Sequence, residues 1–164
     1  MDRMITASGL LLLLGGGIAQ GQNLVVNGDF ESTSASGCDF NNSNAEFTGT
    51  MRFATAFGDA EEIDIIQAPG CVSLAFALAA QSGHFKVGIH QRTLPGSPVD
   101  AFSLRLSQPV LVGQSFLLTF HASRITGGPP GPVEIGLSES ATSFGTLVAS
   151  GPPASAVQWT EFTT

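Results

Sequence analysis

The densest group of side chains able to do chemistry is Asp59-Ala-Glu61-Glu62-Ile-Asp64, four carboxylates within six residues. Carboxylates in such a run have two main uses. They offer hard oxygen ligands to calcium, or two of them, held about 5–9.5 Å apart across a cleft, hydrolyse a glycosidic bond. Adjacency in sequence does not establish that separation. Asp64 also alternates with Ile63 and Ile65, the pattern of a strand residue facing water. The run therefore reads first as a solvated acidic turn, then as a calcium loop, and last as a catalytic pair.

Three histidines, His84, His90 and His121, offer imidazoles for a transition metal. None sits in an HxH or HExxH arrangement, and six residues along one strand put His84 and His90 too far apart to share an ion. His90-Gln91-Arg92, close in sequence to Asp100, is the polar group with the best mixture of donors and acceptors for contacting a ligand. Serine is abundant, but no Gly-x-Ser-x-Gly elbow occurs that would activate one as a nucleophile. No catalytic motif appears anywhere in the chain. Cys38 and Cys71 are the only cysteines. An even count in an exported chain favours a disulfide, with two separate buried thiols as the other reading. Two thiolates alone fall short of the four ligands of a zinc site.

The elements that must position these groups are mostly strands. Leu24-Val25-Val26 is a short apolar strand ending at Asn27-Gly28, a pair that tolerates positive φ. A polar loop runs from Ser32 to Asn44, and Phe47, Met51 and Phe53 read as a broken strand. Ile63 to Ile66 is a clearer strand, stopped by Pro69-Gly70, while Val72 to Ala80 suits a strand or a short helix. From His84 to His90, Phe85, Val87 and Ile89 share one face, leaving His84, Lys86, Gly88 and His90 on the wet one. Further rows of alternation are Phe102 to Leu106, Ser115 to Ser123, Val133 to Leu137, Leu147 to Ala149 and Val157 to Phe162, and Gly127 to Pro132 forms a rigid turn. Eight or nine short strands between Gly and Pro turns predict an all-β protein, an antiparallel β-sandwich of the jelly-roll kind.

Met1 to Gln22 is a different kind of segment: Arg3 precedes an apolar stretch from Ile5 to Ile18, and small residues close it at Gly17, Ala19 and Gly21. This is the form of a secretory signal peptide spanning residues 1–21, cut after Ala19 or Gly21, and it is short for a membrane span and interrupted by three glycines. The remainder, 22–164, is the size of one domain with one core. No second apolar stretch is long enough to cross a bilayer, so the expected location is secreted or at the cell surface. A formal charge of −7, with six Lys and Arg scattered at Arg3, Arg52, Lys86, Arg92, Arg105 and Arg124, excludes a row of phosphate contacts and with it nucleic-acid binding.

Asn23-Leu-Val-Val-Asn-Gly-Asp-Phe-Glu31, Val99-Asp-Ala-Phe-Ser-Leu104 leading to Gly113-Gln-Ser-Phe-Leu-Leu-Thr-Phe120, Gly131-Pro-Val-Glu-Ile-Gly136 and Trp159 together resemble the galactose-binding-like jelly rolls of secreted bacterial surface proteins, carbohydrate-binding modules among them. The resemblance covers nearly all of 22–164. It implies a structural calcium near the turn after the first strand, with Glu31 at the matching place and Asp29 beside it, and it places Trp159 as a core aromatic. It also implies a first strand paired with a last one, so a chain ending at Thr164 is expected to lack its last strand or strands. Sugar modules of this kind stack rings on Trp or Tyr. This chain has one Trp and no Tyr, which leaves Phe40, Phe57 or Phe144 as platforms if they are exposed. The expected function is non-catalytic: an exported module that contacts an extracellular glycan or cell-surface component. A structural spacer or anchor is the second expectation and a small secreted hydrolase the third, with no cofactor except that structural calcium.

Overall fold

A computed structural model describes residues 22–68, 70–71, 78–90, 96, 98–124, 131–151, 154–155 and 158–164. The expected leader, the turn up to 130 and most of the 72–80 segment lie outside the described residues. Among the described residues nine strands and one helix follow in order: β1 (Asp39–Asn42), α1 (Asn44–Thr50), β2 (Ala54–Ala56), β3 (Ile63–Gln67), β4 (Phe85–Gly88), β5 (Phe102–Leu104), β6 (Thr119–Ala122), β7 (Val133–Leu137), β8 (Thr146–Gly151) and β9 (Thr160–Thr163). Every ladder is antiparallel, in sheets β1-β3-β4, β2-β5, β6-β9 and β7-β8. Among the described residues the structure is therefore all-β apart from one short helix. No helix among the described residues is long and apolar enough to cross a membrane.

The helix stands where the apolar spacing of Phe47, Met51 and Phe53 predicts a broken strand. Ser43-Asn-Ala-Glu46 is a capping box: the Ser43 hydroxyl accepts the Glu46 N–H at 3.3 Å and the Glu46 carboxylate accepts the Ser43 N–H at 2.9 Å. Phe47 and Met51, four residues apart, then fall on one helical face and are 0% and 1% exposed. Phe53, outside the helix with φ +62°, is 45% exposed. The polar segment before α1 likewise holds a strand, β1, which pairs with β3 through a bulge between Asp39 and Asn42.

The core lies under α1. Phe47, Met51, Ala54, Ala56, Ile63 and Ile65 are buried together, and Phe30, Phe85, Val87, Phe102 and Leu104 pack against them. The rings of Phe30 and Phe47 lie 5.9 and 5.7 Å from that of Phe102. Leu24–Val26 runs beside the chain after β5: Val26 N–H donates to the Arg105 carbonyl and Ser107 N–H to that of Leu24. Farther along, Phe120 stacks on Phe162 at 4.9 Å. Phe116, expected on the inward row with Phe120, is 45% exposed because the strand begins only at Thr119. Trp159 is half-buried and serves as a tie, its indole N–H donating to the Ala79 carbonyl at 2.9 Å; Phe162 is the buried aromatic of β9.

The Cys38–Cys71 disulfide is formed, with the Cα atoms 6.0 Å apart, fastening the chain before β1 to the chain after β3.

Candidate functional site

The polar groups singled out by chemistry converge where β3 begins and β4 ends. Asp64 faces Gly88 in the β3-β4 register, so continuing both chains outward by two residues sets Glu62 beside His90. Their side chains meet there, His90 Nδ1 lying 3.5 Å from the Glu62 carboxylate, and both are substantially exposed. Asp100 secures the corner from behind. It is 6% exposed, and its two carboxylate oxygens accept the N–H of Glu62 at 3.0 Å and of His90 at 2.6 Å. Its own N–H returns to the His90 carbonyl at 3.0 Å. A short buried acceptor thus pins two segments far apart in sequence, leaving the Glu62 and His90 side chains free to face solvent.

Neighbouring groups stiffen the same corner. Asp59 accepts the Val99 N–H at 2.7 Å, and Ala60 N–H donates to the Val99 carbonyl. Gly58 is required where it stands, since a Cβ there would overlap the backbone of Val99, Asp100 and Ala101. The Asn44 amide, at the start of α1, donates to the Gly58 carbonyl at 2.7 Å and to Glu61 at 3.3 Å. Asp64 is half-buried rather than freely solvated, and accepts the Asn41 N–H at 2.9 Å. Burial pushes its carboxyl above the ordinary range, outweighing the Asn41 hydrogen bond, and the negative charges of Asp100 and Glu62 act in the same direction. Lys86, expected on the wet face of its strand, is buried with its ammonium donating to the Leu78 carbonyl, and desolvation lowers its pKa.

Of the four residues expected to contact a ligand, His90 and Asp100 are brought together, whereas Gln91 and Arg92 lie outside the described residues. Asp100 supports the corner from within, and Glu62 replaces it as the exposed carboxylate. The corner stands open to solvent, with Glu62 and His90 both exposed. Phe40 and Phe144 are 44% and 39% exposed, while Phe57 is half-buried.

The turn after the first strand is built differently. One oxygen of Glu31 accepts the N–H groups of His84 and Phe85, at 2.7 and 2.8 Å, where β4 begins. Gly83, with φ +63°, makes room for this, because a Cβ would overlap the carboxylate. Asp29 is exposed and accepts the Glu31 N–H at 3.4 Å. Calcium takes six to eight oxygens. One Glu31 oxygen is already committed to two amides, and no group of three or more His, Cys, Asp or Glu able to hold a metal occurs among the described residues.

The three histidines have separate surroundings: the His84 N–H meets Glu31, His90 meets Glu62, and His121 on β6 lies 3.3 Å from Glu161 on β9 and 3.4 Å from Gln81. The roles of Glu62 and Asp100 depend on a pairing 38 residues apart in sequence. Only the strand alternation through Asp64 and through His90 carried a signal for it. No protein-family model, curated protein or solved structure matches this chain.

Proposed function

We infer that the chain is an exported, non-catalytic β-sandwich module of a bacterial extracellular or cell-surface protein, a galactose-binding-like jelly roll following a cleaved signal peptide, and that it contacts glycan at the Glu62–His90 corner. The observation that carries this reading is the corner itself: an exposed carboxylate and imidazole, 3.5 Å apart, mounted on backbone that a buried Asp100 holds in place. A carboxylate accepts hydrogen bonds from sugar hydroxyls and an imidazole both donates and accepts. Holding them rigidly lowers the entropy lost on binding. The disulfide agrees with an oxidising compartment outside the cytoplasm.

The spacer reading has one observation in its favour. Glu31, Asp59, Asp64 and Asp100 all spend a carboxylate oxygen on backbone N–H groups, which is structural work. Retention on a polysaccharide column or glycan array distinguishes the two. The contact reading expects retention that is lost in Glu62→Gln with His90→Ala, two exposed positions whose backbone bonds to Asp100 do not depend on their side chains. Absence of retention across a broad panel, with the protein folded, refutes it and leaves the spacer.

A further inference from the structure

Asn27 is followed by Gly28, and the side chain of Asn27 is the most heavily bonded amide in the first turn. Its Nδ2 donates to the carbonyls of Arg52 at 2.8 Å and Ser32 at 3.2 Å and lies 3.4 Å from the Met51 sulfur; its Oδ1 accepts the Ser32 N–H at 2.8 Å. The residue itself is held at φ +59°, with its carbonyl accepting the Phe30 N–H. One half-buried amide thus closes the 27–32 turn and docks it on the end of α1, against Met51 in the core.

An Asn-Gly pair carries its own chemistry. The backbone nitrogen of the glycine, unhindered by any Cβ on its own residue, attacks the asparagine side-chain carbonyl carbon. The new N–Cγ bond closes a five-membered imide, the Cγ–Nδ2 bond breaks, and the nitrogen leaves as ammonia with the proton given up by the glycine amide. Water then adds across one of the two imide C–N bonds, leaving aspartate or isoaspartate. No enzyme, metal or oxidant is needed.

We propose that Asn27 is a modification site for spontaneous deamidation that the folded turn keeps closed, and that reaction there removes the turn's dock. While Nδ2 is bonded to two carbonyls and Oδ1 to an amide, the side chain is not free to swing to the Gly28 nitrogen. Reaction proceeds only when the 27–32 turn opens. The product cannot re-form the dock, because a carboxylate has no donor for the Ser32 and Arg52 carbonyls and meets both with like partial charge. Isoaspartate additionally lengthens the backbone at a position held at positive φ. The change is one-way, and it records how long the turn has spent open.

The test is peptide mapping by mass spectrometry, with isoaspartate methyltransferase labelling, of the intact protein incubated at mildly alkaline pH with and without guanidinium chloride. Deamidation at Asn27 is expected at least about tenfold slower in the folded chain, which corresponds to an opening free energy of about 1.4 kcal/mol or more. Equal rates in the two conditions overturn the proposal. Gly28→Ala should slow the reaction under denaturing conditions, where folding plays no part, and no slowing overturns the assignment of the site. Asn27→Asp, made directly, should lower Tm by about 5 °C through the two lost donor bonds. An Asn27→Asp protein as stable as the parent refutes the docking role.

Discussion

Removing the Asp100 carboxylate tests whether the corner is built as described. In Asp100→Ala the N–H groups of Glu62 and His90, which it accepts at 3.0 and 2.6 Å, lose their partner together. A buried donor left unsatisfied costs about 1–3 kcal/mol. Asp100 itself is 6% exposed, but the Glu62 and His90 side chains stand at the surface, so water reaches part of the vacated space. That places each amide toward the lower end and the pair at about 2–4 kcal/mol. For a domain of this size the corresponding loss in Tm is about 6–12 °C. Asp100→Asn keeps one acceptor oxygen and should cost about half as much, with one amide still bonded. Urea unfolding followed by circular dichroism gives the free energies, and amide hydrogen exchange at residues 62 and 90 reports the two bonds separately. If Asp100→Ala stays within about 0.5 kcal/mol of the parent with an unchanged slope, the carboxylate does not hold the corner and the argument for a rigid contact site fails.

Three further outcomes follow from other parts of the molecule. The Cys38–Cys71 bridge joins residues 33 apart, and replacing both by serine should lower stability by roughly 3–4 kcal/mol in urea titrations; a loss below about 1 kcal/mol would mean that the bridge does not restrict the denatured chain as that account requires. Asp64 has its folded-state pKa raised by burial above the ordinary 3.8, so the folded state holds its proton more tightly than the unfolded chain. Stability therefore falls as pH rises from about 3.8 through the raised value, and Asp64→Asn should flatten that fall in denaturation curves measured between pH 3 and 7. An unchanged pH profile would remove Asp64 as its source. Ser43→Ala takes away the hydroxyl that caps α1 and should cost about 1 kcal/mol, read as a lower urea midpoint.

Several strand positions were legible from alternation of apolar and polar residue types, although burial departs from it at Lys86, which is buried, and Leu137, which is 42% exposed. Val133 to Leu137 and Ile63 to Ile66 fall on β7 and β3, and the rows at 84–90 and 102–106 enclose β4 and β5. Helix α1 is hidden by the spacing of Phe47, Met51 and Phe53, which suits a strand row, while the capping box at Ser43 and Glu46 supplies its local start signal. Strand β2 carries only Ala, Thr and Ala, too little apolar contrast to show a period. At the candidate site His90 and Asp100 were legible as chemistry-bearing residues, but not their roles. Nothing local distinguishes a buried carboxylate that accepts two amides from an exposed one that meets a ligand.

The all-β character, the acidic net charge and the two cysteines available to pair can be read from the residues alone. These depend on composition and on periods of a few residues. Tertiary structure alone decided that Glu31 clamps the start of β4, that Asp100 serves Glu62 and His90 from behind, and that Asn27 docks the first turn on Met51 and Arg52. Each is a hydrogen bond between segments distant along the chain. A donor or acceptor has the same residue type whether its partner is water or a backbone group tens of residues away, so only the folded chain shows which it has.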